Sequence, residues 1–589
     1  MHHHGQFFLK PQNPVQGQYE ALRAFYVDQR TAAEAAQTFG FSESYFNKLR
    51  TLFHQRLRGN ESPSFFVAHQ PGPKAVESSI AEMIIALRKQ NYSILDIRAA
   101  LNAKGQHANL MQIDQVLKDD GFARLPRRTR LEKERVTPPD KLALPRAERF
   151  DIAAWLRAAS AERRLITTRH GGLLLFYPFL QQLGIDRLVR VAGYPATEQL
   201  SALNYILSFL VLKLLDKERL SHVEQLCLDN GVGLFAGLSA LPKNAALSSY
   251  SYNVTRKMNR AFLKALGRAT HQLAPFGGDL NLDFTALPHW GDPAAAGLEN
   301  NWKGSQHQSL KSVLAFLAQD PDSGILAYGN GEVKHRDQND EVLTFVDFWK
   351  ETHRDQPLKC LIFDARLTTY ENLSRLNRDG IKFITLRRRG KNLVENASHL
   401  PADEWHTISI DHPKRKYQTP RVHDSKISLT GYKGFVRQLI ITNIGREQPV
   451  FLITNDFEEK TKVLVTKYAH RWLVEKNINE CIDFFHLNLL SSSIVVKVDF
   501  DLTMTILAST LYRLLARALR GFETLTAKRL FQNFVDNGAE LEITKTQINI
   551  HLQKKAHNPI LFEAKTFQQS WNIPWLKGIQ LHFERQNTT

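Results

Sequence analysis

The sequence predicts a multidomain fold, with all-α modules at the N-terminus followed by an α/β core that carries a β-rich insertion. Three observations predict it. Up to about residue 275 the apolar residues recur at helical spacing, in blocks separated by Gly and polar turns. From "DLNLDFTAL" (279–287) onward, alternating strands and short helical stripes take over. Residues 396–456 then turn β-rich, with "WHTISI", "SKISLTGY", "VRQLIITNI" and "PVFLITND" in succession. At 589 residues the chain is also too long for one ordinary core, so several domains are expected.

In residues 1–60, "QYEALRAFYVDQRTAAEAAQTFGFSESYFNKLRTLFHQRLR" reads as three helices. Small Ala36 lies four residues before Gly40, and Ser42 is placed to cap the third helix. A small residue lets two helices cross closely and the Gly permits a tight turn, which is a helix-turn-helix arrangement. Its last helix offers Glu43, Ser44, Asn47, Lys48 and Arg50, side chains suited to base edges and phosphates. A generic helical hairpin has the same spacing. Residues 75–125 repeat the pattern as a second helix-turn-helix or winged module, ending in the basic "GFARLPRRTR". Residues 126–147 mix Pro with charge and read as a basic linker. Residues 148–275 read as a helical domain without a chemical motif.

Residues 276–395 open with the strand containing Asp283, then "QSLKSVLAFLAQDPDSGILAYGNGEV", two strands joined by a turn. Val342, Phe345, Val346 and Trp349 make one helical stripe. The short apolar strand "CLIF" then runs into Asp364, and Thr368 three residues before Glu371 has the spacing of a capping box. "IKFITL" is a further strand. Strand, hairpin, helix, strand, helix, strand is the connectivity of a ribonuclease H-like α/β core, a mixed sheet with helices on its faces. Residues 396–456 are expected as an inserted β subdomain. Residues 457–487 contain neither Gly nor Pro and are expected as one long helix, with 457–520 completing the core and 521–589 forming a C-terminal α+β region.

The charge balance points to a polyanionic partner. Lys and Arg number 77 against 59 Asp and Glu, a net charge of +18, with a pI near 9.6. Membrane association is not expected, since the longest apolar segment, 203–215, is too short to span and contains Lys213. The clusters Arg387, Arg388, Arg389 and Lys414, Arg415, Lys416 would supply salt-sensitive affinity for double-stranded DNA with little sequence information. A solvated charged face reads the same way. Cys227, Cys360 and Cys481 are far apart with no CxxC, which fits a reducing cytoplasm and a metal site without thiols. No apolar signal segment follows the first Met.

Three carboxylates fall on three elements: Asp283 in the first strand, Asp364 at the end of the later one, Glu475 in the helical segment. There Tyr468, Arg471, Trp472, Glu475, Asn479 and Ile482 share roughly one face, so Glu475 interrupts an apolar stripe where an unpaired charge is costly. Hard oxygen ligands are what Mg²⁺ prefers, and two such ions serve phosphoryl transfer by activating a water or 3′-hydroxyl and stabilising the leaving oxygen. In that scheme Asp283 bridges two Mg²⁺ ions (Mn²⁺ substituting), Asp364 holds one and Glu475 the other. Helix caps or salt bridges would also account for each carboxylate taken singly.

The segments "LNLDFT", "DARLTTYENLSRLNRDGIKFITLRRRGK" and "YAHRWLVEKNINECI" together resemble the DDE transposases of bacterial insertion sequences, specifically the insertion-sequence-4 group. Tyr468, Arg471 and Glu475 match the spacing of that group's Tyr-x2-Arg-x3-Glu-x6-Lys helix motif, while Ile482 stands where the motif has Lys. The resemblance covers roughly 275–520. It implies Asp283, Asp364 and Glu475 as catalytic metal ligands, with Tyr468 and Arg471 contacting DNA near the cleaved phosphate and Lys476 or Arg471 covering for the absent Lys. It also implies a bacterial, nucleoid-associated enzyme that binds terminal inverted repeats, cuts the ends by hydrolysis and joins the 3′-hydroxyls to target DNA. A homodimer holding two ends is expected. A non-catalytic DNA-binding regulator or domesticated transposase, and a nuclease without strand transfer, remain as alternatives.

Overall fold

The computed structural model describes residues 6–11, 13–58, 76–89, 92–103, 105–122, 147–151, 154, 156–157, 162–288, 298–303, 308–365, 367–410, 419–445, 448–487 and 495–584. The chain divides into two compact units, Met1–Ala143 and Leu144–Thr589.

In the first unit, helices α1 (Pro14–Tyr26), α2 (Ala32–Thr38) and α3 (Glu43–Arg58) form where the sequence places three helices. Asn13 caps α1 through Val15 N, and Thr31 and Glu34 close a capping box at α2. Gly40 takes φ +75°, the left-handed turn that a side chain disfavours. Beyond it Tyr45 N donates to Ser42 Oγ at 3.2 Å. Ala21, Leu22, Ala24, Ala35, Ala36 and Phe46 make the core, with Phe25, Phe39, Phe41 and Phe53 packed against it. A second trio, α4 (Ser78–Lys89), α5 (Ile94–Ala103) and α6 (Leu110–Asp119), buries Ile84, Ile97, Leu101, Ile113 and Leu117. The basic arm from 123 and the linker 126–147 lie outside the described residues, apart from Ala147.

The second unit begins with β1 (Arg164–Thr168) and a helical stretch whose longest members are α7 (Ala202–Leu214) and α8 (Arg256–Leu273). Then come β2 (Asp279–Pro288), β3 (Glu299–Lys303), β4 (Gln308–Gln319), β5 (Leu326–Val333), α9 (Glu341–Thr352), β6 (Cys360–Ile362), α10 (Tyr370–Arg378) and β7 (Lys382–Leu386). The stripe Val342, Phe345, Val346 and Trp349 on α9 is buried. In space the strands read β5-β4-β2-β6-β7: β4 is antiparallel to β2 and β5, while β2, β6 and β7 run parallel.

Several expectations are corrected here. Within the β-rich segment 396–456, β8 (Trp405–Thr407), β9 (Arg421–Ser428), β10 (Phe435–Thr442) and β11 (Val450–Thr454) extend the same sheet, with β11 antiparallel to β7. The free edge of β7 would otherwise present unpaired backbone groups, and β11 satisfies them. The segment 457–487 is two helices, α11 (Thr461–Ala469) and α12 (Trp472–Asp483). The N-cap of α10 is Thr369, not Thr368, because Thr368 Oγ1 instead donates to Asn339 O at 2.6 Å.

Nor do the helical region and the C-terminal region stand alone. β1 pairs with β12 (Ala539–Ile543), which continues through β13 (Gln547–Leu552) and β15 (Ile579–Glu584) to β14 (Trp571–Ile573). One apolar cluster runs through the unit, taking in Leu175, Leu207, Phe262, Leu282, Phe316, Leu515 and Leu581. Helix α13 (Val495–Ala518) crosses this core. At its start Asp499, fully buried, accepts from Arg256 Nη1 at 2.8 Å, Asn259 Nδ2 at 2.7 Å and Gly331 N at 2.9 Å. α8, β5 and α13 therefore meet on one carboxylate. The three cysteines are buried and free, and among the described residues no helix is long and apolar enough to cross a membrane.

Candidate active site

The register of the parallel pair places two of the three carboxylates. Asn281 lies opposite Ile362, the last residue of β6. Asp283 and Asp364 each follow two residues later, near enough for their charges to interact. Asp364 is exposed, just past the end of β6, and its Oδ1 accepts from Ala365 N at 2.6 Å. Asp283 is mostly buried, with Oδ1 accepting from Phe284 N at 2.9 Å.

Glu475 reaches this pair from α12, and Arg471 makes the link. Arg471 Nη1 lies 3.3 Å from Asp283 Oδ2, and Nη2 donates to Glu475 Oε1 at 2.5 Å. The break between α11 and α12 sets that position. Arg471 N and Val474 N bond three residues back, to Tyr468 O and Arg471 O, a tightened turn that leaves nearby carbonyls to other donors. Two buried side chains of the sheet supply them: Asn281 Nδ2 donates to His470 O at 3.4 Å and Gln319 Nε2 to Leu473 O at 3.1 Å. Further along α12, Asn477 Nδ2 donates to Gly324 O at 2.6 Å, while Glu480 accepts from Arg513 and from Ala527 N, each at 2.5 Å. Asn281, Gln319, Asn477, Glu480 and Arg513 carried no motif, because their partners lie far away in sequence.

The electrostatics follow from this packing. Burial, together with the nearby Glu475 and Asp364 charges, raises the Asp283 carboxyl to about 6 despite Arg471 and the Phe284 N–H. Burial opposes the Arg471 charge, but Tyr468 and the three carboxylates outweigh it and hold the guanidinium above its ordinary value. Burial pushes the Tyr468 phenol up to about 12, so it is a neutral donor near pH 7. Its ring lies 5.8 Å from Arg471 Cζ.

Glu475 itself is 49% exposed, which corrects the expectation that it interrupts a buried stripe. The buried face of α12 is Val474, Asn477, Ile478 and Cys481. Ile482 packs against the core at its edge, where a Lys would have to take its charge out of water. The donor set suits a hard divalent cation, being three carboxylates with neither nitrogen nor sulfur. The distances differ: among the described residues, no three His, Cys, Asp or Glu side chains stand close enough to hold an ion. Arg471 supplies the positive charge between two of them.

The other predicted contacts scatter. Lys476 is exposed, with Nζ 5.9 Å from the Trp472 ring. Arg388 is exposed; Arg387 is half-buried and donates to Gln438 Oε1 at 2.7 Å, and Arg389 donates to Gln448 Oε1 at 3.3 Å. Lys414, Arg415 and Lys416 lie outside the described residues. In the first unit Asn47 and Lys48 are exposed on α3. Arg50 is instead laid on the core, its Cζ 3.9 Å from the Phe25 ring centroid and its Nη1 donating to Asn47 Oδ1 at 3.1 Å.

No protein-family model matches the chain, and no curated protein matches it. Among solved structures, it is similar to a piggyBac transposase synaptic complex with hairpin DNA, with 11% identity and a TM-score of 0.35 over 63% of this chain and 82% of that one.

Proposed function

We propose that this chain is a DDE-type DNA transposase whose second unit cuts and joins DNA at Asp283, Asp364 and Glu475. The observation that carries the reading is the convergence of Asp283 on β2 with Asp364, just past the neighbouring parallel strand β6, and with Glu475, tied to Asp283 through Arg471. Support comes also from the connectivity of β2, β4, β5, β6 and β7, which is what a ribonuclease H-like core requires. Two Mg²⁺ ions held by the three carboxylates would activate a water or 3′-hydroxyl and stabilise the leaving oxygen. The chain's own residues hold the rest of the geometry. β2 and β6 mount the two aspartates on the rigid centre of the sheet, and the contacts of Asn477 and Glu480 fix α12. Arg471 presents a planar fork to a phosphodiester, and Tyr468 offers its O–H. Two copies would hold two DNA ends, with the N-terminal helix-turn-helix unit reading the terminal repeats.

The test is an assay with labelled, pre-cleaved element ends, a plasmid target and Mg²⁺. Joined product is expected from the wild-type chain. Asp283→Ala, Asp364→Ala and Glu475→Ala are each expected to lower cleavage and joining by about 10²–10³-fold or more while sparing DNA binding. Hydrolysis without joining would make the chain a nuclease, and full cleavage by all three variants would sink the assignment. At α3, Lys48→Ala is expected to reduce the slope of log K against log[salt] by about 1, the signature of one lost phosphate contact. Arg50→Ala is expected to act differently, lowering the melting temperature of the first unit because its guanidinium covers Phe25. An unchanged salt slope for Lys48→Ala would remove α3 from the DNA interface.

A further inference from the structure

Arg471 bridges the carboxylate cluster in a way that DNA contact alone does not explain. Its two terminal nitrogens go to different acids, Nη1 to Asp283 at 3.3 Å and Nη2 to Glu475 at 2.5 Å. The side chain is only 16% exposed. Its backbone is anchored on either side, because Asn281 and Gln319 hold the carbonyls of His470 and Leu473. Asp283 is mostly buried, so the charge of these acids needs a counter-cation close by even when nothing is bound.

We propose that Arg471 is a built-in counter-cation that occupies the cation position between Asp283 and Glu475, so that a divalent ion enters only by exchange with it. The inference rests on the phosphoryl-transfer reading and goes beyond the DNA contact which the motif implies for this residue. A carboxylate oxygen that coordinates Mg²⁺ sits about 2.0–2.1 Å from the ion. The guanidinium fork lying between Asp283 and Glu475 fills the space that an ion shared by them needs. The chain therefore binds divalent ions weakly on its own. A phosphodiester, whose oxygens match the guanidinium fork as a carboxylate does, draws Arg471 outward and frees both acids. Anything that takes the guanidinium raises ion affinity, and bound ion in turn raises affinity for the anion that takes it. The hydrolytic centre stays closed while DNA is absent.

Mn²⁺ titration of the full chain, followed by the electron paramagnetic resonance signal of free Mn²⁺ without DNA, tests this independently of activity. Arg471→Gln is expected to bind Mn²⁺ about tenfold or more tightly than wild type, and adding Glu475→Gln is expected to abolish the gain. Arg471→Lys, which keeps one charge but cannot span both acids, is expected to show a smaller gain in the same direction. It also serves as the reporter if Arg471→Gln gives no folded transition on melting. Equal affinity in wild type and both Arg471 variants, with binding still dependent on Glu475, overturns the counter-cation and leaves the phosphoryl-transfer reading standing. Mn²⁺ binding that is absent from all of them, or indifferent to Glu475, overturns both.

Discussion

Asp499→Ala is expected to destabilise the second unit by about 3–5 kcal/mol, the cost of breaking a buried charge pair by removing one partner. Asp499 is fully buried and accepts three donors from two elements: Arg256 and Asn259 on α8 and Gly331 on β5. Truncation leaves the Asn259 amide without its acceptor inside the core, and removes the carboxylate that Arg256 bonds directly. Arg256 keeps hydrogen bonds to Gly329 O and the Tyr328 hydroxyl, each at 3.0 Å, with the Glu341 charge beyond that hydroxyl. Asp499→Asn keeps the shape and one acceptor oxygen, so its loss is expected to be smaller. Urea unfolding of the two variants, followed by far-ultraviolet circular dichroism, gives the comparison. A loss under about 1 kcal/mol for the Ala variant, within the range of an ordinary surface substitution, would mean that packing alone joins α8, β5 and α13.

Asp283→Asn is expected to abolish cleavage and yet stabilise the chain in metal-free buffer at pH 8. The folded chain holds this carboxyl at about 6, above its ordinary 3.8. A raised value means that the folded state binds the proton more tightly than the unfolded state does. The stability this group contributes is thus full below about pH 4 and declines as the pH rises through about 6. Asn keeps the neutral form at every pH, so it removes the decline. The gain at pH 8 is expected at about 1–2 kcal/mol, since a shift of one unit is worth about 1.4 kcal/mol and partial solvent exposure and the lost Arg471 contact reduce the total. Melting curves of both proteins at pH 4 and pH 8 should coincide at the lower pH and separate at the higher. A gain of equal size at both values, or a loss at pH 8, would contradict the electrostatic origin. The same strain that lowers stability is what a cation binding here would relieve, the familiar exchange between stability and activity at a functional site.

The signals that could be read in one dimension were those with a local period. Alternation marked β2, the hairpin of β4 and β5 lay around "DPDSG", and the 3.6 repeat marked α9. The apolar strand ending in Asp364 was visible because burial stops where the carboxylate begins. The nearness of Asp283 and Asp364 became visible only once β2 and β6 were paired in register. An absence of Gly and Pro pointed to one helix at 457–487, and that inference failed because backbone propensity was not what decided it. Asn281 and Gln319, more than 150 residues earlier, offered their amides to His470 and Leu473, and the chain tightened there. Arg387 and Arg50 looked like free phosphate ligands for a similar reason. Their partners, Gln438 and Phe25, come from other elements.

Residue type and spacing alone, therefore, determined which elements form through the core and which acids stand at their ends. The tertiary structure decided that the β-rich segment extends the core sheet, that β1 closes onto β12, and that Arg471 stands between Asp283 and Glu475. The physical reason is the range of the forces involved. Periodicity reflects burial of neighbouring side chains on one face, whereas edge pairing and charge compensation depend on groups that only the completed fold brings within a few ångströms.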